Sequence, residues 1–209
     1  MAEYELYCFK ESGNAYKAAI MLELSGCDWE AHWVDFFNGE TRSPEYRENV
    51  NVMGEVPVLK HGNVALTQSG SILHYLAEQT GKFGGRNDED RREILRWILF
   101  DNHKLTSYAA TYRFMKNFME GADPAVLEFL SGRMHGAFKV FNAHMEGREF
   151  VASDQPTIAD LSLCGYLFWP DEFGVEWSQY PHIGAWLDRI SALPGWVAPY
   201  DLMPGGPAQ

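Results

Sequence analysis

Three stretches of the chain carry residue types suited to holding a small acidic peptide with a thiol. In Asn51-Val52-Met53-Gly54-Glu55-Val56-Pro57-Val58-Leu59 a glycine turn leads to a proline preceded by β-branched Val56. That pairing fits badly in a helix and forces extended backbone ahead of a short strand, where it can pair with a peptide. Gln68-Ser69-Gly70-Ser71-Ile72 then opens an apolar helix. A helix start offers unpaired N–H groups and partial positive charge to a carboxylate. Earlier, Ser12-Gly13-Asn14-Ala15-Tyr16-Lys17 places a hydroxyl at the mouth of another helix, with Gly13 allowing close approach.

The chemistry open to such a hydroxyl is support of a thiolate, since the neutral thiol is a poor nucleophile. A cysteine-type thiol titrates near about 8.5, so half-ionisation at about pH 7 costs roughly 2 kcal/mol. One hydrogen bond to a charged acceptor, worth roughly 1.5–3 kcal/mol, with about 0.3–1 kcal/mol from a helix N-terminus, covers that cost. Ser12 is the leading donor and Asn14 a second polar contact to sulfur; the plain alternative is that both are turn and cap residues. Tyr7, in the first strand, is the rival donor, although an aromatic there is usually core. Cys8, in mid-strand, lacks a helix dipole and is expected to pack.

These residues must be positioned by two kinds of structure. Hydrophobic patterning predicts strands over 4–9, 30–34, 56–60 and 64–67 and a helix over 15–24. Ile72, Leu73, Leu76 and Ala77 then form a single apolar stripe for a helix on the sheet. The order is βαβ, a loop, then ββα. From 80 to 90 glycines mix with polar residues as in a linker. Helix periodicity follows over 89–117, 124–145, 157–168 and 181–192, and Thr157-Ile158-Ala159-Asp160 reads as a capping box.

Composition narrows the partners. With 209 residues, 46% of them hydrophobic, the chain can bury one large core or two small ones. A formal charge of −12 argues against nucleic acid or an anionic membrane, both of which need a basic face. No apolar run is long enough to cross a bilayer, and Met1-Ala2-Glu3-Tyr4-Glu5 lacks the basic start of a signal peptide, so a cytoplasmic protein is expected. Cys8, Cys27 and Cys164 are too widely spaced for a redox pair and are expected to be three buried thiols. The seven histidines form no His-x-His or His-x-x-x-His pair, so no metal site is expected.

The motif Asn51 to Leu59 followed by Gln68-Ser69-x-x-Ile72 resembles the glutathione-binding motif of the cytosolic glutathione transferases, with Val52 where the family usually has Pro and Gln68 where Glu is commoner. The Ser12 to Lys17 stretch is similar to the Ser-Ser-Cys-Ser-Tyr-Arg segment of the bacterial serine-type, zeta-like members. On that match Ser12 falls at the catalytic serine and Asn14 at the cysteine. The Thr157 capping box and the run from Tyr180-Pro181-His182-Ile183 to Pro194 resemble helices of the same family's second domain.

The resemblance implies an α/β thioredoxin-like N-terminal domain over 1–80, a linker over 81–90 and an all-α domain over 91–209. It implies glutathione as co-substrate. Val56 would pair its backbone with the cysteinyl unit, Pro57 would be cis, and Gln68 and Ser69 would hold the γ-glutamyl end. Lys10, Lys17 and Lys60 remain open as partners of the glycine carboxylate. Tyr108, Tyr112, Phe114 and Met115, with Phe168 and Trp169, would line an apolar pocket for a small hydrophobic electrophile. Asp101 matches a region where a neighbouring subunit's acid contacts the glutathione amine. The implied protein is a homodimeric transferase that activates the thiol as thiolate. A glutathione-dependent isomerase or thiolytic enzyme, and a non-catalytic glutathione or ligand carrier of the same fold, are the alternatives.

Overall fold

The structure, a computed structural model, describes residues 2–206; Met1 and residues 207–209, which fall in the expected terminal domain spans, lie outside the described residues. Two compact units form. One runs to Lys82 and takes back the chain from Leu193, and the other is Phe83–Ala192.

The first unit is built on a four-stranded sheet in the order β2-β1-β3-β4, from β1 (Tyr4–Cys8), β2 (Trp29–Trp33), β3 (Val58–His61) and β4 (Val64–Thr67). β1 runs parallel to β2 and antiparallel to β3, as the βαβ–ββα order demands. Tyr4, Leu6 and Cys8 are buried while Glu5 and Tyr7 lie half-exposed on the other face, the two-residue period of a strand. The expected third strand starts two residues late. Pro57 has no N–H to give the ladder, so pairing begins at Val58 opposite Tyr7.

α1 (Gly13–Ser25) and α3 (Ser69–Thr80) pack together. Ala15, Tyr16, Ile20, Met21 and Leu22 of α1 are enclosed, as are Ile72, Leu73 and Leu76 of α3. A fully buried side chain of this size contributes about 1.5–3 kcal/mol against about 1 kcal/mol for one hydrogen bond, so apolar packing dominates here. α2 (Pro44–Asn49) lies in what reads as a loop; Ser43 caps it by accepting from Tyr46 N at 3.1 Å. Six residues are too few to show a helical period.

In the second unit α4 (Asp88–Phe100) and α5 (Thr106–Phe118) are joined by a π-helical turn, Asp101–Leu105, where the sequence predicts one unbroken helix. The wider turn brings Thr106, five residues on, back over Asp101, whose carboxylate accepts from Thr106 Oγ1 at 2.6 Å. Its other oxygen accepts from Ser162 Oγ at 2.5 Å. Asp101 is thus fully enclosed and held by its own unit, which overturns its expected contact with a ligand on a neighbouring subunit.

α6 (Pro124–His144), α7 (Ile158–Leu163), α8 (Pro170–Phe173) and α9 (Pro181–Ser191) complete this unit. The capping box at α7 is present: Thr157 N donates to Asp160 Oδ2 at 2.8 Å and Thr157 Oγ1 accepts from Ala159 N at 3.3 Å. Asp160 Oδ1 also accepts from Val151 N and Trp186 Nε1, both at 2.9 Å.

The tail differs from expectation. The helical domain expected over 91–209 ends at Ala192, and α10 (Pro199–Leu202) packs on α1. Tyr16 Oη donates to Val197 O at 2.8 Å and Lys10 N to Pro204 O at 3.0 Å. Helical periodicity reports that a segment coils, not which layer receives it. No helix among the described residues is long and apolar enough to cross a membrane.

Candidate functional site

Ser12 ends the loop after β1 and caps α1. Its backbone is extended (φ −86°, ψ 106°), and its Oγ accepts from Ala15 N at 3.1 Å. A hydroxyl has one proton and two lone pairs, so the cap leaves the Ser12 proton available. Asn14, half-buried in the first turn, accepts at Oδ1 from Ser69 Oγ at 3.4 Å. The starts of α1 and α3 therefore meet.

Gln68 precedes α3 with φ +66° and ψ 113°, a conformation that side-chain-bearing residues rarely adopt. No side chain caps this helix. Instead Gln68 Nε2 donates to Glu55 Oε2 at 2.9 Å and lies 3.6 Å from Met53 Sδ. The first turn of α3, which begins at buried Ser69, thus starts without a side-chain cap, and a helix start of that kind can receive an anion.

The loop before β3 is braced from within. Asn51, buried, donates from Nδ2 to Glu55 O at 2.9 Å and accepts at Oδ1 from Met53 N at 3.0 Å. Tyr46 Oη adds a bond to Glu55 O at 3.0 Å. Gly54 turns at φ +68°, and a Cβ there would stand 2.7 Å from both Thr41 O and Arg47 Nη2. Only glycine fits. The Val56–Pro57 bond is cis, and Val56 lies beyond the last β1–β3 pair, Tyr7–Val58. Ser12, Asn14, Gln68 and Ser69 are gathered at two helix starts, and Gln68 ties them to the Glu55-Val56-Pro57 loop. Asn51, Tyr46 and Glu55 brace this loop through contacts that no local pattern signals, although Asn51 and Glu55 both lie in the 51–59 motif.

The rival donor and the candidate lysines make other contacts. Tyr7 Oη accepts from Lys60 Nζ at 2.9 Å, and its ring stacks on His32 with centroids 4.9 Å apart. Lys60 is thereby held on the sheet face, Lys17 is fully enclosed in α1, and Lys10 lies over the Tyr200 ring at 5.8 Å. Burial pushes the Cys8 thiol up to about 12, so it packs as a neutral group. Cys164 is also buried, but Cys27 is half-exposed, just past the end of α1, where three buried thiols were expected.

On the helical unit Tyr108 and Tyr112 sit one turn apart on α5, both half-buried. Arg133 Nη2 donates to Tyr108 Oη at 3.1 Å and holds that phenol below its usual range. Tyr108, Phe100, Lys104, Arg133 and Val140 line a cavity of about 320 Å³. α7 ends at Leu163, short of the helix expected over 157–168, and Phe168 is half-buried in the turn that follows it. Trp169, expected beside it in the pocket, is buried under the Arg113 guanidinium at 3.9 Å from its ring, and Arg113 pairs with Glu172 at 2.7 Å. Phe114 and Met115 are half-buried on α5.

Comparison with known proteins matches two family domains. Residues 12–79 match the N-terminal domain, and residues 105–194 the C-terminal domain, of glutathione S-transferase. The crystal structure of a glutathione S-transferase from Xanthobacter autotrophicus Py2 is 31% identical, with a TM-score of 0.87 over 95% of this chain and 98% of that one. Glutathione S-transferase F10 of Arabidopsis thaliana is 28% identical over 197 residues, covering 88% of this chain and 90% of its own length. A glutathione transferase family member from Pseudomonas fluorescens Pf-5, crystallised with two glutathione molecules bound, is 25% identical with a TM-score of 0.82 over 96% of this chain and 93% of that one.

Proposed function

The chain belongs to the glutathione S-transferase family, and from that membership we propose that it is an enzyme that binds glutathione on its sheet-bearing unit and ionises the thiol for attack on a small hydrophobic electrophile. The observation that carries this reading is the bond between Ser69 Oγ and Asn14 Oδ1, which sets two helix starts side by side. In this reading the γ-glutamyl carboxylate sits on the first-turn N–H groups of α3 with Ser69 and Gln68. The cysteinyl backbone pairs with Val56 ahead of Pro57, just beyond the point where the β1–β3 ladder ends. The sulfur then reaches the start of α1, where Ser12 Oγ donates its proton and Asn14 can donate from its amide nitrogen.

A thiolate so placed gains a hydrogen bond to a charged acceptor and a helix N-terminus, roughly 2–4 kcal/mol together, enough to bring the thiol to half-ionisation near neutrality. The relative bound to glutathione supports the choice of co-substrate. Tyr108, Tyr112 and Phe168 are the side chains that meet the electrophile, and the enzyme works in the cytoplasm as a homodimer. The deciding experiment titrates glutathione into the protein and follows its conjugation to a chromogenic aryl halide, in the wild type and in Ser12→Ala. Conjugation that falls at least tenfold, with a raised thiol pKa in the complex, supports the mechanism. Equal turnover and equal thiol pKa would remove Ser12 from it, and binding without turnover across a broad electrophile panel would make the protein a carrier.

A further inference from the structure

On the sheet face opposite the Tyr4, Leu6 and Cys8 core, three side chains on neighbouring strands converge. Glu5 on β1 and Glu30 on β2 are register partners in a parallel ladder, and His32 follows on the same face of β2, opposite Tyr7. Two carboxylates directly across a ladder repel one another unless a cation lies between them. Lys60, which faces Glu5 from β3, gives its ammonium to Tyr7 Oη at 2.9 Å, which leaves the His32 imidazole as the group nearest both carboxylates.

His32 Nε2 lies 3.3 Å from Glu5 Oε2 and 3.2 Å from Glu30 Oε1. Neither oxygen is in line with the ring N–H direction, so Nε2 is buried without a hydrogen bond although both are near enough for one. A nitrogen flanked by two oxygens, rather than met head-on by one, has the outline of a coordination edge. Donors about 2.1 Å from a zinc ion and spread about 90–110° around it stand roughly 3.0–3.4 Å from each other. All three donor atoms here lie within 4.8 Å of one another. The Tyr7 ring, stacked on His32, fixes the plane of the imidazole.

We propose that Glu5, Glu30 and His32 form a site for one divalent transition-metal ion, of the zinc type, that clamps the edge strand β2 to β1. One imidazole with two carboxylates is a borderline donor set, better matched to zinc than to calcium or magnesium, which take oxygen ligands. The three side chains are 34–51% exposed, so an ion enters from solvent and water completes its shell. Ligand spacing along the chain predicts no metal site. Here the spacing is set by strand pairing.

The test uses the full chain, stripped with chelator and titrated with zinc chloride in the absence of glutathione, with cobalt(II) as a spectroscopic probe. One equivalent of zinc should bind and raise the unfolding temperature, and cobalt should give visible ligand-field bands without a thiolate charge-transfer band. His32→Asn and Glu30→Gln, both partly exposed and outside the glutathione residues, should each weaken zinc binding about tenfold or more. Both should keep wild-type glutathione affinity, which separates this site from the one proposed above. No heat with zinc, unchanged affinity in both variants, or a thiolate band with cobalt would overturn the proposal.

Discussion

Ser69 Oγ donates to Asn14 Oδ1 at 3.4 Å, joining the first turns of two helices whose residues are 55 apart in the chain. This bond sets two helix starts side by side, where the proposed site would receive its anion. It also predicts different consequences for residues that a sequence would treat alike, since some hold the protein together and others hold only the ligand.

Ser12→Ala removes both the cap on α1 and the proposed proton donor. Loss of the cap should lower unfolding stability by about 1 kcal/mol, read from the urea midpoint. Ser12→Asp keeps a cap acceptor but has no proton to give and adds a negative charge beside the sulfur. It should preserve stability and still raise the thiol pKa of bound glutathione, read by thiolate absorbance against pH. A Ser12→Asp protein with wild-type thiol pKa would leave Ser12 a cap alone.

Gln68 holds a backbone conformation that suits glycine, at φ +66°. Strain of this kind costs on the order of 1–3 kcal/mol, which glycine relieves at the expense of roughly 0.5–1 kcal/mol of chain entropy. Gln68→Gly should therefore melt no lower than wild type, while glutathione affinity drops about tenfold through loss of the amide. A fall in melting temperature together with unchanged affinity would contradict both halves of the argument.

Asp160 should matter to stability and not to the ligand. Its buried carboxylate accepts from Thr157 N, Val151 N and Trp186 Nε1. Asp160→Ala leaves those donors buried and unpaired, at about 1–3 kcal/mol each before relaxation. The expected loss is about 3–5 kcal/mol in denaturant unfolding. Asp160→Asn, which retains an acceptor, should lose less.

His144 supplies a pH dependence. Desolvation, the largest cause, holds its pKa below the ordinary 6.5, while its Nε2 donates to Val151 O at 2.8 Å and its ring lies against Trp97 at 4.0 Å. His135, lowered by burial and by Lys139, shifts the same way. A histidine with a depressed folded pKa takes up its proton first in the unfolded chain. Stability is then fully present above about pH 6.5 and declines as pH falls below it toward the folded values. Melting temperatures should be level from about pH 8 to 7 and decline from about pH 6.5 to 5, and His144→Gln should flatten that decline.

Much of the fold was legible in the chain because local chemistry fixes it. Proline and glycine punctuate the 51–59 loop, the Ile72 stripe marks α3, and Thr157 with Asp160 announces α7; each acts within a few residues, so the signal survives without the third dimension. Short or wide-turn elements were not legible. α2 is too brief to show a period, and at the π turn the carboxylate of Asp101 is bonded by nearby Thr106 and by Ser162, which is distant in the chain.

The sequence by itself determined which groups are on offer for the proposed peptide-thiol site: a hydroxyl at one helix start, a serine at another, and a Val56 before Pro57. Folding alone decided that Asn14 meets Ser69, that Gln68 braces Glu55, that the tail from Leu193 rejoins the first unit, and that Glu5, Glu30 and His32 share one sheet face. The reason is one of range. Caps, turns and apolar stripes depend on residues a few positions apart, whereas contacts across a sheet or between helix starts depend on strand register and packing, which no local spacing encodes.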